Sequence, residues 1–263
     1  KCYNYKVIKF ENIQALLIDL EGVLYSDNKL IQGSCNVIKD LRQKELNLRF
    51  LTNTTTIPRN KILEKLINYG FDIKEEEIFT PITATKKFLK KSNFKKIFLV
   101  TNKELITEFE NYELTDEKPK AVIMGDIYKD FNWDILDKIF KLIHKFDAHL
   151  ISLHQNKYCV RENEISLDLG PFVKAIEYAC NKSAVLMGKP NKNFFDLVIK
   201  DLNSHHENIL MIGDDIKSDI EGGNQAGLKT IQVKTGKYQS SDDKNSLQPD
   251  ARIENINEVL NLL

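Results

Sequence analysis

Four short polar motifs each follow a run of apolar residues, and their side chains are of the types that bind phosphate and a divalent cation. The first contains Asp19 and Glu21, the second is Thr-Asn-Thr-Thr at 52–55, the third centres on Lys189, and the fourth begins at Asp214. Carboxylates suit Mg²⁺, which prefers one or two of them together with water and phosphate oxygens. Threonine hydroxyls and backbone N–H groups can hold phosphate oxygens, and a lysine can neutralise the anion. Together these residue types predict metal-assisted chemistry on a phosphate.

Each motif also has a purely structural interpretation. The segment at Asp19 could be a strand that ends in polar residues and a glycine turn. The 52–55 run could cap the helix that begins near Arg59. A Gly-Lys-Pro turn, as at 188–190, is common, and Asp215 could cap the helix that follows it. Each motif taken alone therefore leaves the structural alternative open.

Short apolar runs alternate with amphipathic stretches along the chain, which favours an α/β architecture with a parallel sheet. In such sheets, ligands bind at the carboxyl ends of the strands, where the four motifs are expected. Helices are predicted at 35–44 and 59–69, the second of which ends at Gly70. The predicted strands are 15–18, 48–52, 96–100, 121–124, 150–153, 184–187, 209–212 and 230–233.

Composition narrows the class of protein and the partners. The 263 residues are 42% hydrophobic and 29% charged, as expected for a soluble globular chain of one large or two smaller domains. The 38 basic residues balance 38 acidic ones, which argues against nucleic acid or an anionic membrane as the main partner. No apolar run approaches the length of a membrane span, about 18 residues. Four scattered cysteines and an N-terminal segment without an apolar signal core predict a cytoplasmic location.

The order of the motifs, LLIDLEGVLY, FLTNTT, MGKP and MIGDDIKSDIEGG, resembles that of the haloacid dehalogenase (HAD) superfamily of phosphatases. Segments 72–80, 169–172 and 233–238 are similar to its type IIA capped subgroup, so the resemblance covers nearly the whole chain. It implies a Rossmann-like α/β core with a parallel sheet, built from residues 1–80 and 183–263. A large α/β cap domain is then inserted at 81–182, and pairing of caps in the subgroup implies a homodimer by analogy.

The resemblance also implies a role for each residue of the phosphoryl site. Asp19 is then the nucleophile that becomes an aspartyl phosphate. Thr52, Asn53 and Thr54 hold the transferring phosphoryl group. Lys189 offsets the negative charge that the nucleophile and the phosphate share.

A magnesium site follows from the same resemblance. Its expected ligands are the carboxylates of Asp19 and Asp214 and the backbone carbonyl of Glu21. Asp215 and Asp219 are expected to orient lysines, waters and loops around the ion.

Glu21 departs from the family pattern, because most of these phosphatases carry Asp at this position. That Asp protonates the leaving group and then activates water. Glu can do the same chemistry, but its extra methylene shifts the carboxyl group, and small misplacements of a catalytic group can cost about a hundredfold in rate. The side chain of Glu21 is therefore either the general acid or uninvolved, with only its backbone carbonyl taking part.

Two functions remain after these inferences. The leading one is a Mg²⁺-dependent phosphatase that acts on a small phosphate ester, phosphoamide or pyrophosphate. The alternative is a catalytically weak member of the family that binds phosphorylated ligands or protein partners. In the cap, the 168–171 turn, His154, Lys157 and Arg161 are candidates for contact with the leaving group, although residues of these kinds are more often ordinary surface residues.

Overall fold

The computed structural model describes residues 9–161 and 164–263, except for the side chain of Val160. The chain folds into two compact units. The described part of the first runs to Thr52 and continues with Ile62–Phe79 and Val198–Leu263. The second consists of Asn53–Lys61 and Thr80–Leu197. The functional division into a core and a cap inserted at 81–182 stays a prediction.

Strands and helices alternate along both units. The strands are β1 (Ala15–Asp19), β2 (Tyr25–Ser26), β3 (Lys29–Leu30), β4 (Asn47–Leu51), β5 (Ile78–Phe79), β6 (Lys96–Val100), β7 (Glu113–Leu114), β8 (Ala121–Met124), β9 (His149–Ser152), β10 (Tyr158–Arg161), β11 (Glu164–Leu167), β12 (Val185–Leu186), β13 (Ile209–Gly213), β14 (Lys229–Val233) and β15 (Ala251–Ile253). The α-helices are α1 (Ser34–Gln43), α2 (Arg59–Asn68), α3 (Pro81–Lys91), α4 (Trp133–Phe146), α5 (Leu169–Cys180), α6 (Lys192–Leu202) and α7 (Gly222–Gln225). Among the described residues, none of these helices combines the length and the apolar character that a membrane crossing requires.

The first unit is built on a six-stranded sheet with the order β15-β14-β13-β1-β4-β5, and every neighbouring pair in it is parallel. The central strand β1 is buried along its whole length, as expected for a parallel strand covered on both faces. The helix α1 is amphipathic and buries Val37, Ile38 and Leu41. Each such side chain contributes about 1.5–3 kcal/mol when it leaves water. Strand β1 and the residue at its end, Asp19, therefore lie in the middle of this sheet.

The second unit has its own parallel sheet, with the order β12-β9-β8-β6-β7. Helices α4 and α5 pack on it, and α4 contributes Ile139, Leu142 and Ile143 to the core. Asn132 caps the start of α4 by accepting a hydrogen bond from the backbone N–H of Ile135 at 3.0 Å. The strands β10 and β11 form a separate antiparallel hairpin.

The predicted α/β class with parallel sheets is confirmed. The predicted bounds of the strands at 96–100 and 121–124 agree with β6 and β8, and the other predicted strands differ from the observed ones by one residue at an end or at both ends. Strand β12, which precedes the third motif, pairs with β9 and so belongs to the five-stranded sheet. A two-residue strand carries too little pattern for the sequence to assign it to a sheet.

Candidate functional site

The first and fourth motifs lie side by side at the carboxyl edge of the six-stranded sheet. Strands β1 and β13 are parallel neighbours, and Ile18 is in register with Ile212. Asp19 ends the one strand, and Asp214 directly follows the other. Both side chains are buried, with 7% and 1% of their surface exposed. The sheet therefore brings together two carboxylates that lie far apart in the sequence.

A third carboxylate, that of Asp219, lies close to these two. One oxygen each of Asp19, Asp214 and Asp219 lies within 4.8 Å of the others, and all three residues are buried. Asp219 lies on a π-helical turn, Ile216–Glu221, and accepts a hydrogen bond from the backbone N–H of Asp215 at 3.1 Å. Carboxylates this close together repel one another, and a bound cation relieves that repulsion. An all-oxygen, buried carboxylate set of this kind fits Mg²⁺. The individual roles of the three residues stay predictions.

Asp215 caps the π-helical turn, as the structural alternative for this motif predicted. Its Oδ1 accepts hydrogen bonds from the backbone N–H groups of Lys217 and Ser218, at 2.9 and 3.2 Å. Its Oδ2 accepts a hydrogen bond from the ammonium group of Lys237 at 3.2 Å. Burial works against the charge of Asp215, but Lys237 and the two backbone donors hold the pKa of this carboxyl below its ordinary value. Asp215 therefore stays ionised and holds the turn that carries Asp219.

The side chain of Glu21 is exposed and is engaged by the short β2–β3 hairpin. Its Oε1 accepts a hydrogen bond from the backbone N–H of Asp27 at 3.1 Å, and the hydroxyl of Tyr25 donates a hydrogen bond to the same carboxylate. Burial, followed by the charges of Glu21 and Asp19, raises the pKa of Tyr25 far above its ordinary value, so the phenol keeps its proton. Two donors therefore fix the orientation of the Glu21 carboxylate.

The sequence analysis missed a group of residues that closes around the first and fourth motifs. Thr235, Gly236 and Lys237, here called the 235–237 clasp, follow strand β14. The hydroxyl of Thr235 donates to the carbonyl oxygen of Gly22, and the backbone N–H of Lys237 donates to Asp214 Oδ2 at 2.6 Å. The sequence offered a signal, because the clasp lies inside the 233–238 segment, which supported the family resemblance but was given no role of its own.

Gln232 is a second residue that the sequence analysis missed. It is completely buried in β14 and donates a hydrogen bond from Nε2 to the carbonyl oxygen of Asp214 at 3.2 Å. Arg252 on the neighbouring strand β15 donates to Gln232 Oε1 at 2.8 Å and so orients the amide. The available signal was a glutamine between the apolar residues Ile231 and Val233, since a buried amide needs partners.

The second and third motifs meet within the second unit. Asn53 and Lys189 exchange two hydrogen bonds, because Asn53 Nδ2 donates to the carbonyl oxygen of Lys189 and the backbone N–H of Lys189 donates to Asn53 Oδ1, both at 2.9 Å. Lys189 is buried. Thr54 also belongs to this unit, whereas Thr52 ends the neighbouring segment of the first unit, where its N–H donates to Phe79 at 3.2 Å.

Several residues that the sequence analysis named as candidates for contact with the leaving group form a cluster of charged and polar side chains in the second unit. The guanidinium of Arg161 donates a hydrogen bond to Asp126 and lies 3.6 Å from Asp168 Oδ1. His154 is buried, its Nε2 lies 3.7 Å from the same oxygen, and burial lowers its pKa below the ordinary value. Asp168 caps α5. Lys157 is exposed, and its backbone carbonyl oxygen accepts a hydrogen bond from the backbone N–H of Asp168 at 3.3 Å.

The 168–171 turn, which the sequence analysis named as a candidate for contact with the leaving group, uses two of its backbone N–H groups within the fold. The N–H of Gly170 already donates to the carbonyl oxygen of Asn156 at 2.9 Å, and that of Leu169 donates to Asp168 Oδ1 at 2.8 Å. These two hydrogen bonds form the start of α5 and hold the segment that precedes it. At these two N–H groups, the turn therefore serves the local structure at the start of α5.

Family models and curated proteins match most of the chain. The family model described as haloacid dehalogenase-like hydrolase matches residues 16–115, and a second model of HAD-type hydrolases matches residues 186–259. The chain is 36% identical to phospholysine phosphohistidine inorganic pyrophosphate phosphatase of Xenopus laevis, over 95% of this chain and 94% of that one. It is 37% identical to haloacid dehalogenase-like hydrolase domain-containing protein 2 of Homo sapiens, over 88% of each.

Solved structures show the same fold over nearly the full length. The 4-nitrophenylphosphatase of Thermotoga maritima is 27% identical and superposes with a TM-score of 0.84, covering 96% of this chain and 98% of its own. NagD from E. coli K-12 is 26% identical, with a TM-score of 0.83 and coverages of 94% and 98%. The chain therefore belongs to the haloacid dehalogenase-like hydrolase family and is a hydrolase of its phosphatase type.

Proposed function

We propose that this hydrolase is a Mg²⁺-dependent phosphatase that cleaves a small phosphate ester, phosphoamide or pyrophosphate through an aspartyl-phosphate intermediate. The observation that carries the proposal is the buried carboxylate cluster of Asp19, Asp214 and Asp219 at the ends of adjacent parallel strands. Such a cluster costs stability unless a cation compensates its charge, so its retention favours a functional metal site.

The proposed metal ligands are the carboxylates of Asp19 and Asp214 and the backbone carbonyl of Glu21. Asp219, whose carboxylate is grouped with the first two, and Asp215, which holds its turn, support them. When bound, Mg²⁺ would neutralise negative charge between the nucleophile and the phosphate. The family resemblance and the all-oxygen donor set support this assignment.

In the proposed reaction, a carboxylate oxygen of Asp19 attacks the phosphorus, a P–O bond forms, and the bond from phosphorus to the leaving group breaks. Glu21 gives its proton to the leaving group. It then takes a proton from the water that attacks the aspartyl phosphate, which releases inorganic phosphate and restores Asp19. The reaction mainly needs positioning and charge stabilisation, because the transferring group carries its charge on its outer oxygens.

The phosphoryl group is proposed to be held by Thr52, Asn53 and Thr54, with Lys189 balancing its charge. The reciprocal hydrogen bonds between Asn53 and Lys189 support a shared role for the second and third motifs. A lysine is suited to this task because its ammonium group acts as a compact point charge on phosphate.

The substrate class rests on the relatives and not on a pocket of this chain. The names of two similar proteins include phospholysine, phosphohistidine, inorganic pyrophosphate and 4-nitrophenyl phosphate as groups on which those proteins act. We therefore place small phosphorylated compounds among the proposed substrates.

The cytoplasmic location also stays a prediction, which rests on the scattered cysteines. Of these, Cys35, Cys159 and Cys180 are free thiols, and Cys2 lies outside the described residues.

A homodimer is proposed through the β10–β11 hairpin. One face of this hairpin exposes Tyr158, Ile165 and Leu167, which are 63%, 77% and 60% exposed. An apolar face of this kind is typical of a surface that another chain covers. Light scattering on the wild type is expected to give twice the mass of the chain, and Ile165→Lys is expected to give a monomer. A monomeric wild type would rule the dimer out.

The function is tested by phosphate release from an aryl phosphate with and without Mg²⁺. Asp19→Asn is expected to abolish metal-dependent release, because the amide cannot act as the nucleophile. The matched control is Asp40→Asn, which makes the same change on the exposed face of α1 and should leave release unchanged. Wild-type release no higher than that of Asp19→Asn would contradict the proposal. If the wild type then still bound orthovanadate, a phosphoryl mimic, the weak binding protein would be the better description.

A further inference from the structure

Lys237 contacts both acidic residues at the start of the fourth motif. Its backbone N–H lies 2.6 Å from Asp214 Oδ2, and its ammonium nitrogen lies 3.2 Å from Asp215 Oδ2. The main chain of Lys237 therefore orients one carboxylate, while the side chain pairs with the other. These are separate contributions, because a substitution at position 237 removes the ammonium group and keeps the N–H.

The ammonium group brings a positive charge to a strongly acidic part of the first unit. Asp19, Asp214 and Asp219 form the carboxylate cluster, and Asp215 adds a fourth carboxylate beside it. A positive charge at this place acts in opposite directions on the two proposed ligands. It repels a divalent cation in the cluster, and it attracts the phosphate that the cation helps to bind.

We propose that Lys237 is a charge-balancing residue of this site, which weakens the binding of Mg²⁺ and strengthens the binding of phosphate. This inference rests on the proposed function, since it concerns the same metal and the same anion. The geometry that carries it is the contact of the ammonium group with Asp215 Oδ2, at 3.2 Å. Asp215 holds the group in place and is itself held by Lys217 and Ser218.

The opposite signs separate this role from a structural one. If Lys237 only supported the local fold, its replacement would loosen Asp214 and Asp215 and weaken the binding of both ligands. If its charge is what matters, replacement by a neutral side chain of similar length should tighten Mg²⁺ binding and weaken phosphate binding.

Isothermal titration calorimetry on the full chain measures both affinities. MgCl₂ is titrated first, and inorganic phosphate is then titrated at saturating MgCl₂. For Lys237→Met we expect the Kd of Mg²⁺ to fall about threefold or more, and the Kd of phosphate to rise by a similar factor. Lys237→Arg keeps the charge and should restore both values to within about twofold of the wild type.

A matched control lies three residues away. Lys234 forms an ion pair with Glu254 at 2.6 Å, on an exposed part of the same segment. Lys234→Met makes the same chemical change and should leave both affinities unchanged. Circular dichroism checks that each variant is folded, and Lys237→Gln replaces Lys237→Met if the latter does not fold.

The outcomes are distinct. Unchanged affinities in Lys237→Met would overturn the inference, and so would weaker binding of both ligands. If the wild type binds both ligands but Lys237→Met does not change the two affinities in opposite directions, the proposed function stays in place. Only the role of Lys237 is then removed. A wild type that binds neither Mg²⁺ nor phosphate overturns the proposed function, and this inference with it.

Discussion

The 235–237 clasp makes a quantitative prediction about Gly236. This residue has φ +63°, in the left-handed region that side chains other than glycine rarely adopt. A Cβ added here would lie 2.5 Å from the Cα of Gly22 and closer still to Asp214 Oδ2. Gly227 offers a matched comparison, because its φ is +77° but the atoms nearest to an added Cβ belong to the ring of His206, the closest at 3.1 Å. The two glycines thus share the conformational constraint, and only Gly236 has a backbone neighbour that blocks a side chain.

The expected magnitudes follow from these contacts. A side chain in the left-handed conformation costs about 1–2 kcal/mol, and this applies to both Gly227→Ala and Gly236→Ala. The clash at Gly236 adds an overpacking cost of about 1–3 kcal/mol, because backbone atoms must move to relieve it. Gly236→Ala should therefore lower the free energy of unfolding by about 2–5 kcal/mol in total, against about 1–2 kcal/mol for Gly227→Ala.

The binding of Mg²⁺ should separate the two variants further. The methyl group of Gly236→Ala displaces the Asp214 carboxylate from its place, so we expect Mg²⁺ affinity to fall at least about tenfold, whereas Gly227→Ala should bind as the wild type does. Urea unfolding followed by circular dichroism gives the stabilities, and calorimetric titration gives the affinities. If Gly236→Ala matched Gly227→Ala in stability and bound Mg²⁺ normally, the close packing of the clasp would not position Asp214.

Two further predictions concern carboxylates. Glu21→Gln keeps the length of the side chain, the backbone carbonyl and an acceptor for Tyr25 and Asp27, but it cannot transfer a proton. We expect turnover of an alkyl phosphate, measured by phosphate release, to fall more than about tenfold. Normal turnover would mean that only the backbone carbonyl of Glu21 takes part in the reaction. Burial opposes the charge of Glu77, but two hydrogen bonds from Arg42, at 2.8 and 2.6 Å, keep its pKa below the ordinary value. A carboxyl whose pKa is lowered in the folded state stabilises the fold at pH values above its unfolded-state pKa, about 4.3. The difference in unfolding free energy between the wild type and Glu77→Gln, measured in urea, should therefore be largest near pH 7. It should shrink as the pH falls below about 4. A difference that did not change with pH would contradict the role of this ion pair.

The sequence indicated the candidate site residues whose positions depend on local pattern. Asp19 and Asp214 each follow a buried apolar run, and parallel strands place such residues at one edge of a sheet. Lys189 became a candidate from a similar local signal, its turn after a short apolar run, although that run, strand β12, lies in the five-stranded sheet. The placement of Asp219 was harder, because its carboxylate reaches the other two through a π-helical turn whose geometry the sequence does not reveal.

The clasp could not be predicted as part of the site, because its contacts join distant parts of the chain. The hydroxyl of Thr235 bonds to the carbonyl oxygen of Gly22, 213 residues away in the sequence. Threonine and glycine after a strand are ordinary loop residues, and nothing local distinguishes them from a surface turn. Only the pairing of strands, with β14 next to β13 and β13 next to β1, brings the two segments together.

Asn53 shows how an observed contact refines a role that the sequence assigned by resemblance. Both polar atoms of its amide are bonded to the main chain of Lys189, 136 residues away. An amide of this kind has two donor hydrogens and an acceptor oxygen, so one hydrogen remains available for a phosphate oxygen. The stronger consequence is indirect, since the two bonds fix the backbone from which the lysine side chain extends. Asn53→Asp would turn the donor at Nδ2 into an acceptor facing the carbonyl oxygen of Lys189, and the repulsion between the two oxygens should disorder the lysine turn. We therefore expect that Asn53, if it takes part in binding phosphate, does so chiefly by positioning Lys189.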